Sequence, residues 1–230
     1  MLTTEETKRI AGEHALQFIE PGMTIGIGTG STVYYFIQAL AKKVKSGFDI
    51  KGVATSRQTE TLAKQLGITM IDLNDAESLA LTIDGADEID VQLQLIKGGG
   101  GALLQEKMVA AASDNLIIIA DSNKFVNCLG KHPLPVEVIT YGWKQTQKHI
   151  TRISDIKSLL RLKDDKPFIS DHGHYILDCY FEKIENAEWL SEQLNNIPGV
   201  VENGLFINMA SKAIIGYEDG SVQIKYPASW

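Results

Sequence analysis

Short apolar runs alternate along the chain with longer stretches whose apolar residues recur at helical spacing, and this alternation predicts the elements in order. Thr3 and Glu6 form a capping-box pattern, and Ile10, Ala11, Leu16 and Ile19 fall on one helical stripe, so a helix opens the chain and ends before Pro21-Gly22. MTIGIG (23–28) then reads as a strand, STVYYFIQALAKKVKSG (31–47) as a helix, FDIKGVAT (48–55) as a strand, RQTETLAKQLG (57–67) as a helix and ITMIDL (68–73) as a strand. LALTID (79–84) continues the series as a strand, LQLIKG (93–98) as a short extended piece, GALLQEKMVAAAS (101–113) as a helix and LIIIAD (116–121) as a very apolar strand. Strands separated by helices of this length predict βαβ units and a parallel sheet covered on both faces.

After Gly130 the texture changes. HPLPVEVI (132–139) reads as a strand, followed by a helix near DIKSLLRL (155–162), a hairpin in PFISDHGHYILDCYF (167–181) with its turn at DHGH, and a helix at NAEWLSEQLNN (186–196) closed by Pro198-Gly199. The tail AIIGYEDGSVQIKY (213–226) reads as a hairpin or strand that returns to the first sheet. The expected fold class is therefore α/β, a doubly wound, mostly parallel Rossmann-like sheet with a second, smaller α+β domain of ferredoxin-like pattern. Residues 1–130 plus about 205–230 would form the Rossmann-like domain, and 131–204 the small α+β domain.

With 44% hydrophobic and 22% charged residues, the composition is that of an ordinary globular protein and not of a disordered one. No window approaches the roughly 20 apolar residues that span a bilayer, and the N-terminus lacks the apolar core of a secretory signal, so no membrane partner and a cytoplasmic location are expected. A net charge of -7 argues against a general nucleic-acid binder. Cys128 and Cys179 stand without a CxxC pair and read as two free thiols.

Three stretches carry candidate chemistry. Gly26-Ile27-Gly28-Thr29-Gly30-Ser31-Thr32 lies between a strand and a helix, where bare backbone, a helix N-terminus and the hydroxyls of Thr29, Ser31 and Thr32 suit a phosphate. It departs from the dinucleotide fingerprint at Ser31, and Thr55-Ser56-Arg57 replaces the ribose-binding acid; the GK[ST] of a triphosphate loop is also absent. Lys97-Gly98-Gly99-Gly100-Gly101 can form a nest of N–H groups ahead of a helix that carries Glu106. LTIDGADEID places Asp84, Asp87, Glu88 and Asp90 within seven residues at the end of a strand. Taken singly, each has a plainer reading: a glycine turn permitting close packing, a flexible surface loop, a solvated acidic turn. Gly30, Asp84 and Lys97 each fall at a strand's carboxyl end, where open parallel sheets place ligand crevices, so all three loops line one crevice if the strands are neighbours. His172 and His174 in the DHGH turn lack a third ligand at useful spacing and read as surface residues.

Together GIGTGST, IDGADEID, IKGGGGALLQEK and IADSNK, in that order, resemble type A ribose-5-phosphate isomerase, and GKHPLPVEV, PGVVENGLF and the N-terminal helix extend the resemblance over nearly the whole chain. It implies interconversion of D-ribose 5-phosphate and D-ribulose 5-phosphate without a metal or organic cofactor, in a homodimer or homotetramer built through the small domain. By position, the general base falls on Glu106, supported by Asp84, Asp87 and Lys97. The substrate-binding segments fall on Thr29, Gly30, Ser31 and Thr32; on Asp84, Gly85, Ala86 and Asp87; on Lys97, Gly98, Gly99 and Gly100; and on Lys124. Lys8 matches a lysine that the family places near the site. Gly101, Gln105, TSRQTETL (55–62) and DHGHYILDCY depart from or match the pattern more loosely.

The implied chemistry suits these residue types. Aldose–ketose isomerisation needs one base to move a proton between C2 and C1 and a cation or N–H donors to hold the enediolate oxygens. Asp84 and Asp87 are expected to share one proton and to assist ring opening and hydroxyl proton transfer, with Lys97 relieving their repulsion, while Glu88 and Asp90 face solvent or pair elsewhere. Two other readings compete: a non-catalytic sugar-phosphate sensor domain, and a magnesium-dependent sugar phosphatase using Asp84, Asp87 and Asp90.

Overall fold

The capping box opens α1 (Thr4–His14) as expected: the Thr3 hydroxyl accepts the Glu6 N–H at 3.3 Å, and the Glu6 carboxylate accepts the Thr3 N–H at 2.7 Å. The computed structural model describes residues 1–228. From α1 the chain runs through β1 (Thr24–Ile27), α2 (Ser31–Lys45), β2 (Lys51–Ala54), α3 (Arg57–Gln65), β3 (Thr69–Met70), β4 (Leu81–Asp84), β5 (Glu88–Ile89), β6 (Leu95–Ile96), α4 (Leu103–Ala111) and β7 (Leu116–Asp121). It continues with β8 (Leu134–Val138), α5 (Trp143–Ser154), β9 (Lys157–Leu160), β10 (Leu162–Lys163), β11 (Lys166–Pro167), β12 (Tyr175–Tyr180), α6 (Ala187–Asn195), β13 (Val200–Asn203), β14 (Leu205–Phe206), β15 (Ala210–Gly216) and β16 (Val222–Lys225).

The large sheet has the order β16-β15-β7-β4-β1-β2-β3 and is parallel except for the final β15–β16 hairpin. Its interior strand β7 is buried at every position, and its side chains divide between two cores, as strand periodicity requires. Ile117 and Ile119 pack with Ala11, Phe36, Ile37 and Leu40 of α1 and α2. Leu116, Ile118 and Ala120 pack on the opposite face with Ile89, Leu95, Ala110 and Phe206. Apolar burial on both faces is why this strand reads as a continuous hydrophobic run.

The second sheet is antiparallel with the order β13-β8-β12-β9. With α5 and α6 it forms a βαββαβ unit of ferredoxin-like order, closed by Leu134, Val136, Val138, Ile150, Leu177, Leu190 and Leu194. A third, three-stranded sheet, β14-β6-β5, joins β5 and β6, which lie between β4 and β7 in sequence, to the distant β14 and holds the segments that flank the catalytic candidates. No helix among the described residues is long and apolar enough to cross a membrane.

Three sequence expectations are corrected. The helix expected near 155–162 is strand β9, and the helix lies just upstream as α5. The buried Thr146 and Ile150 of α5 mark the helical stripe, whereas Leu159 and Leu160 are adjacent and face different ways. The turn expected at DHGH is present, with Ser170 donating to the His174 carbonyl, but β12 pairs with β8 and β9 and not with the residues before the turn. Glu88, expected to face solvent or to pair elsewhere, takes only the second place: it is buried, and its two carboxylate oxygens accept the Gly130 N–H at 2.7 Å and the His132 N–H at 2.6 Å. It therefore ties β5 to the segment that enters the second sheet. Replacing it by alanine leaves two backbone donors without a charged acceptor, so Glu88→Ala is expected to lower unfolding free energy by about 3 kcal/mol in urea titrations.

Candidate active site

β4 lies between β1 and β7, with Ile27 in register with Ile83 and Asp84 in register with Ile118, so the loops leaving these strands meet at one carboxyl edge. Gly28 donates to the Ile83 carbonyl at 2.8 Å, and a Cβ at that position would collide with the Asp84 side chain. Only a glycine lets the loop after β1 pass this close.

Asp84 is fully buried. One oxygen accepts the N–H groups of Thr29 at 3.0 Å and Gly85 at 2.7 Å, and the other lies 3.0 Å from the Lys97 ammonium. Lys97, one residue beyond β6, is 2% exposed. Its ammonium also reaches Glu106 Oε1 at 3.1 Å and donates to the Gly85 carbonyl at 2.5 Å. The ammonium thus makes two hydrogen bonds and one further ion pair, and the attraction of the two carboxylates outweighs burial, holding it more basic than an ordinary lysine.

Glu106 lies in the first turn of α4 and is 5% exposed. Burial pushes its carboxyl up to about 8; Lys97 opposes the rise, and Asp84 and Asp87 add to it. Its Oε2 is buried without a hydrogen-bond partner among the described residues, although Glu106 lines the cleft. The site therefore contains a carboxyl group with one oxygen anchored on Lys97 and the other unengaged.

The cleft is lined by Thr29, Gly30, Ser31, Thr32, Gly85, Ala86, Asp87, Lys97, Gly98, Gly99, Gly100, Glu106 and Lys124. At one end, Gly30 precedes the fifteen-residue α2 without any side-chain cap, so the helix N-terminus presents unsatisfied N–H groups beside Ser31 and Thr32. Lys124, on the short turn after β7, also faces this cleft. Among the described residues, no group of three or more His, Cys, Asp or Glu side chains is arranged to hold a metal ion.

Four expectations about the site change. Asp84 does not line the cleft; it stands behind Lys97 as a buried brace. Asp87 does line it, but its carboxylate accepts the Gly99 N–H at 2.7 Å, and no hydrogen bond joins it to Asp84 among the described residues. The Thr29 hydroxyl is turned away into a cluster with Thr55 and Ser56, each at 2.8 Å, and Thr59 at 3.1 Å, leaving its backbone to face the cleft. Lys8 is not brought to the cleft: its ammonium pairs at 2.7 Å with Glu5, one turn away on α1.

Sequence reasoning missed several contributors. The cluster of Thr55, Ser56 and Thr59 fastens the loop after β1 to the start of α3, and Thr59 donates to the Gly28 carbonyl at 2.8 Å. Their signal was the concentration of hydroxyls in TSRQT. Arg161, whose guanidinium donates to the carbonyls of Gly98 and Gly99, lay in a segment read as helix and carried no motif.

The comparisons with known proteins agree with this geometry. The family described as ribose 5-phosphate isomerase A (phosphoriboisomerase A) matches residues 51–220. The ribose-5-phosphate isomerase A of Bacillus mycoides (strain KBAB4) is 56% identical over 214 residues, covering 93% of this chain and 96% of the relative. The chain belongs to the ribose 5-phosphate isomerase A family.

Solved members of the family share the whole fold. A D-ribose-5-phosphate isomerase in complex with phospho-erythronic acid superposes with a TM-score of 0.94 at 40% identity, covering 98% of this chain and 100% of the other. The ribose 5-phosphate isomerase A of Neisseria gonorrhoeae gives 0.93 at 39% identity with both chains fully covered. Membership in this isomerase family makes the chain an aldose–ketose isomerase and disfavours the sensor and phosphatase readings.

The buried trio supplies a stability test. Lys97→Met would leave Asp84 and Glu106 buried without their shared cation, and is expected to cost about 3–5 kcal/mol in chemical denaturation. Glu106→Gln, which leaves the Asp84–Lys97 pair intact, is expected to cost clearly less in the same titration.

Proposed function

We propose that the cleft interconverts D-ribose 5-phosphate and D-ribulose 5-phosphate through an enediolate, with Glu106 as the base. The observation that carries this reading is the free, buried Glu106 Oε2 at the wall of the cleft, with the opposite oxygen fixed by Lys97. A carboxylate held in this way can take the proton from C2 with Oε2 and return it to C1 without changing place. General base catalysis of this kind contributes about 10²- to 10⁴-fold.

The remaining parts follow from their positions. The Lys97 ammonium and the N–H groups of the glycine loop hold negative charge as it develops on O1 and O2. Asp87, at the rim, accepts hydroxyl protons of the sugar and assists ring opening. The phosphate binds at the α2 N-terminus, through Ser31, Thr32 and the backbone of Gly30, with Lys124 facing it, while Thr29, its N–H held by Asp84, shapes the loop. Gripping this remote group orients the reacting carbons against Glu106. Asp84 acts through Lys97, fixing the ammonium between substrate oxygens and base. Lys8, paired with Glu5, has no part in this arrangement.

The same reading keeps 1–130 with about 205–230 as the catalytic unit and 131–204 as a lid and oligomerisation unit. Exposed Leu159, Leu162, Ile169 and Tyr180 on the latter support assembly into a homodimer or homotetramer. Two free cysteines fit a reducing, cytoplasmic setting.

Incubation with ribose 5-phosphate and EDTA in D2O tests the proposal: ribulose 5-phosphate should form with deuterium at the exchanged carbon and without free phosphate. Absence of ketose would overturn the assignment. Glu106→Gln should lower kcat by at least about 10²-fold while sugar-phosphate affinity changes little. Below about 8 Glu106 holds a proton and cannot act as base, so kcat/KM should rise with pH up to that region and then level off. A limb confined to pH about 4 to 5, the ordinary carboxylate range, would exclude Glu106 as the group responsible.

A further inference from the structure

Arg161 lies between β9 and β10, outside every segment assigned to the site, yet its guanidinium reaches across to the glycine loop. Its Nη1 donates to the Gly98 carbonyl at 2.8 Å and to the Gly99 carbonyl at 3.1 Å. The rest of the guanidinium is locked from the other side, with Nε 3.0 Å and Nη2 2.5 Å from the two oxygens of Asp178 on β12. The pair is largely buried, at 14% and 19% side-chain exposure, so solvent competes little for either contact. Phe168, whose N–H donates to the Arg161 carbonyl at 2.9 Å, completes the clamp: its ring fills the space that a side chain at Gly101 would occupy.

Peptide geometry gives this contact a consequence. In a trans peptide the C=O and the N–H point in opposite directions. The Gly98–Gly99 unit shows it directly: its carbonyl faces Arg161 and its N–H faces Asp87, at 2.7 Å. The Gly99–Gly100 unit is held by the same nitrogen, so the Gly100 N–H must also point away from Arg161. Gly100 lines the cleft, and its N–H has no partner among the described residues. A run of glycines would otherwise sample many peptide orientations, because glycine restricts the backbone least.

We infer that Arg161 is a positioning residue, which turns two peptide planes of the glycine loop so that the Gly99 N–H holds Asp87 and the Gly100 N–H is presented to the developing enediolate oxygen. Arg161 touches no reacting atom. It acts by removing orientational freedom from a donor before the charge develops, which is the condition under which such donors accelerate a reaction. Asp178 in turn holds the guanidinium, so the second sheet sets the geometry of the loop that leaves β6 of the third. The inference rests on the isomerase reading above.

Arg161→Lys keeps the charge but loses the planar fork that meets Asp178 and the carbonyls together. Relative to wild type, it is expected to lower kcat on ribose 5-phosphate by roughly 10- to 100-fold while KM changes by less than about threefold. Affinity for a four-carbon aldonic acid phosphate, whose carboxylate occupies the place of the enediolate oxygens, should fall by a similar factor, and affinity for inorganic phosphate should hold. Unchanged kcat overturns the inference, as does an equal loss of affinity for inorganic phosphate, which would indicate general disturbance of the site. Asp178→Asn provides the second variant, since it leaves Arg161 in place but frees the guanidinium: a fall in kcat without a rise in KM supports the inference, and wild-type kcat overturns it. Wild-type turnover in the same assays tests the isomerase reading separately, because both variants are judged only as ratios to it.

Discussion

A single buried ammonium, held between two carboxylates that repel one another, is the constraint on which the site depends. Lys97 lies 3.0 Å from Asp84 and 3.1 Å from Glu106, and all three side chains are almost wholly removed from water. Burying charge is expensive unless partners and hydrogen bonds compensate it, and breaking such a group by removing one member costs more than never having had it. One cation cannot fully serve two carboxylates at this depth. Asp84 is supported by two backbone N–H groups as well, whereas at Glu106 burial outweighs the pull of Lys97 and raises the carboxyl. The shortage of positive charge thus accompanies a carboxyl raised toward neutral pH, which suits it to the proposed role of base.

The fold supplies this arrangement through its topology. Adjacent parallel strands end their chains at one edge, bringing the loops after β1 and β4 together, while the short antiparallel β5–β6 pair returns the chain so that Lys97 points back under them. Gly28 permits the contact with Asp84, and Glu88 anchors the β5 end by accepting from Gly130 and His132. In the proposed mechanism phosphate recognition is kept apart from this charged group, at the uncapped N-terminus of α2, where backbone donors would serve without burying another cation. Binding and proton transfer would then draw on different parts of one cleft.

Much of this was legible in the sequence because it was encoded locally. The alternation of strand and helix patterns, the capping box at Thr3 and the glycine-rich loops each report on a few neighbouring residues, and the large sheet followed from them. What was not legible depends on contacts distant in sequence. LTIDGADEID showed four carboxylates but not which would be buried; Glu88 is separated from its partners by more than forty residues, and only the fold turns it inward. Asp84 and Asp87 were read as a pair because they are close in sequence, whereas in space Asp87 accepts from Gly99 and it is Glu106 that shares the Lys97 cation with Asp84. Lys8 matched by position, yet its side chain is engaged by Glu5. The strand at 157–160 failed on periodicity, since adjacent leucines fit a helix or a strand equally when partners are unknown.

The central claim is that the buried trio leaves Glu106 as the group with the displaced titration. A ¹³C NMR titration of glutamate side-chain carboxyls in the ligand-free enzyme measures this directly, with the Glu106 resonance identified by its absence from a Glu106→Gln sample. The account predicts a midpoint near 8 for that resonance. A midpoint in the ordinary range of about 4 to 5 would contradict it.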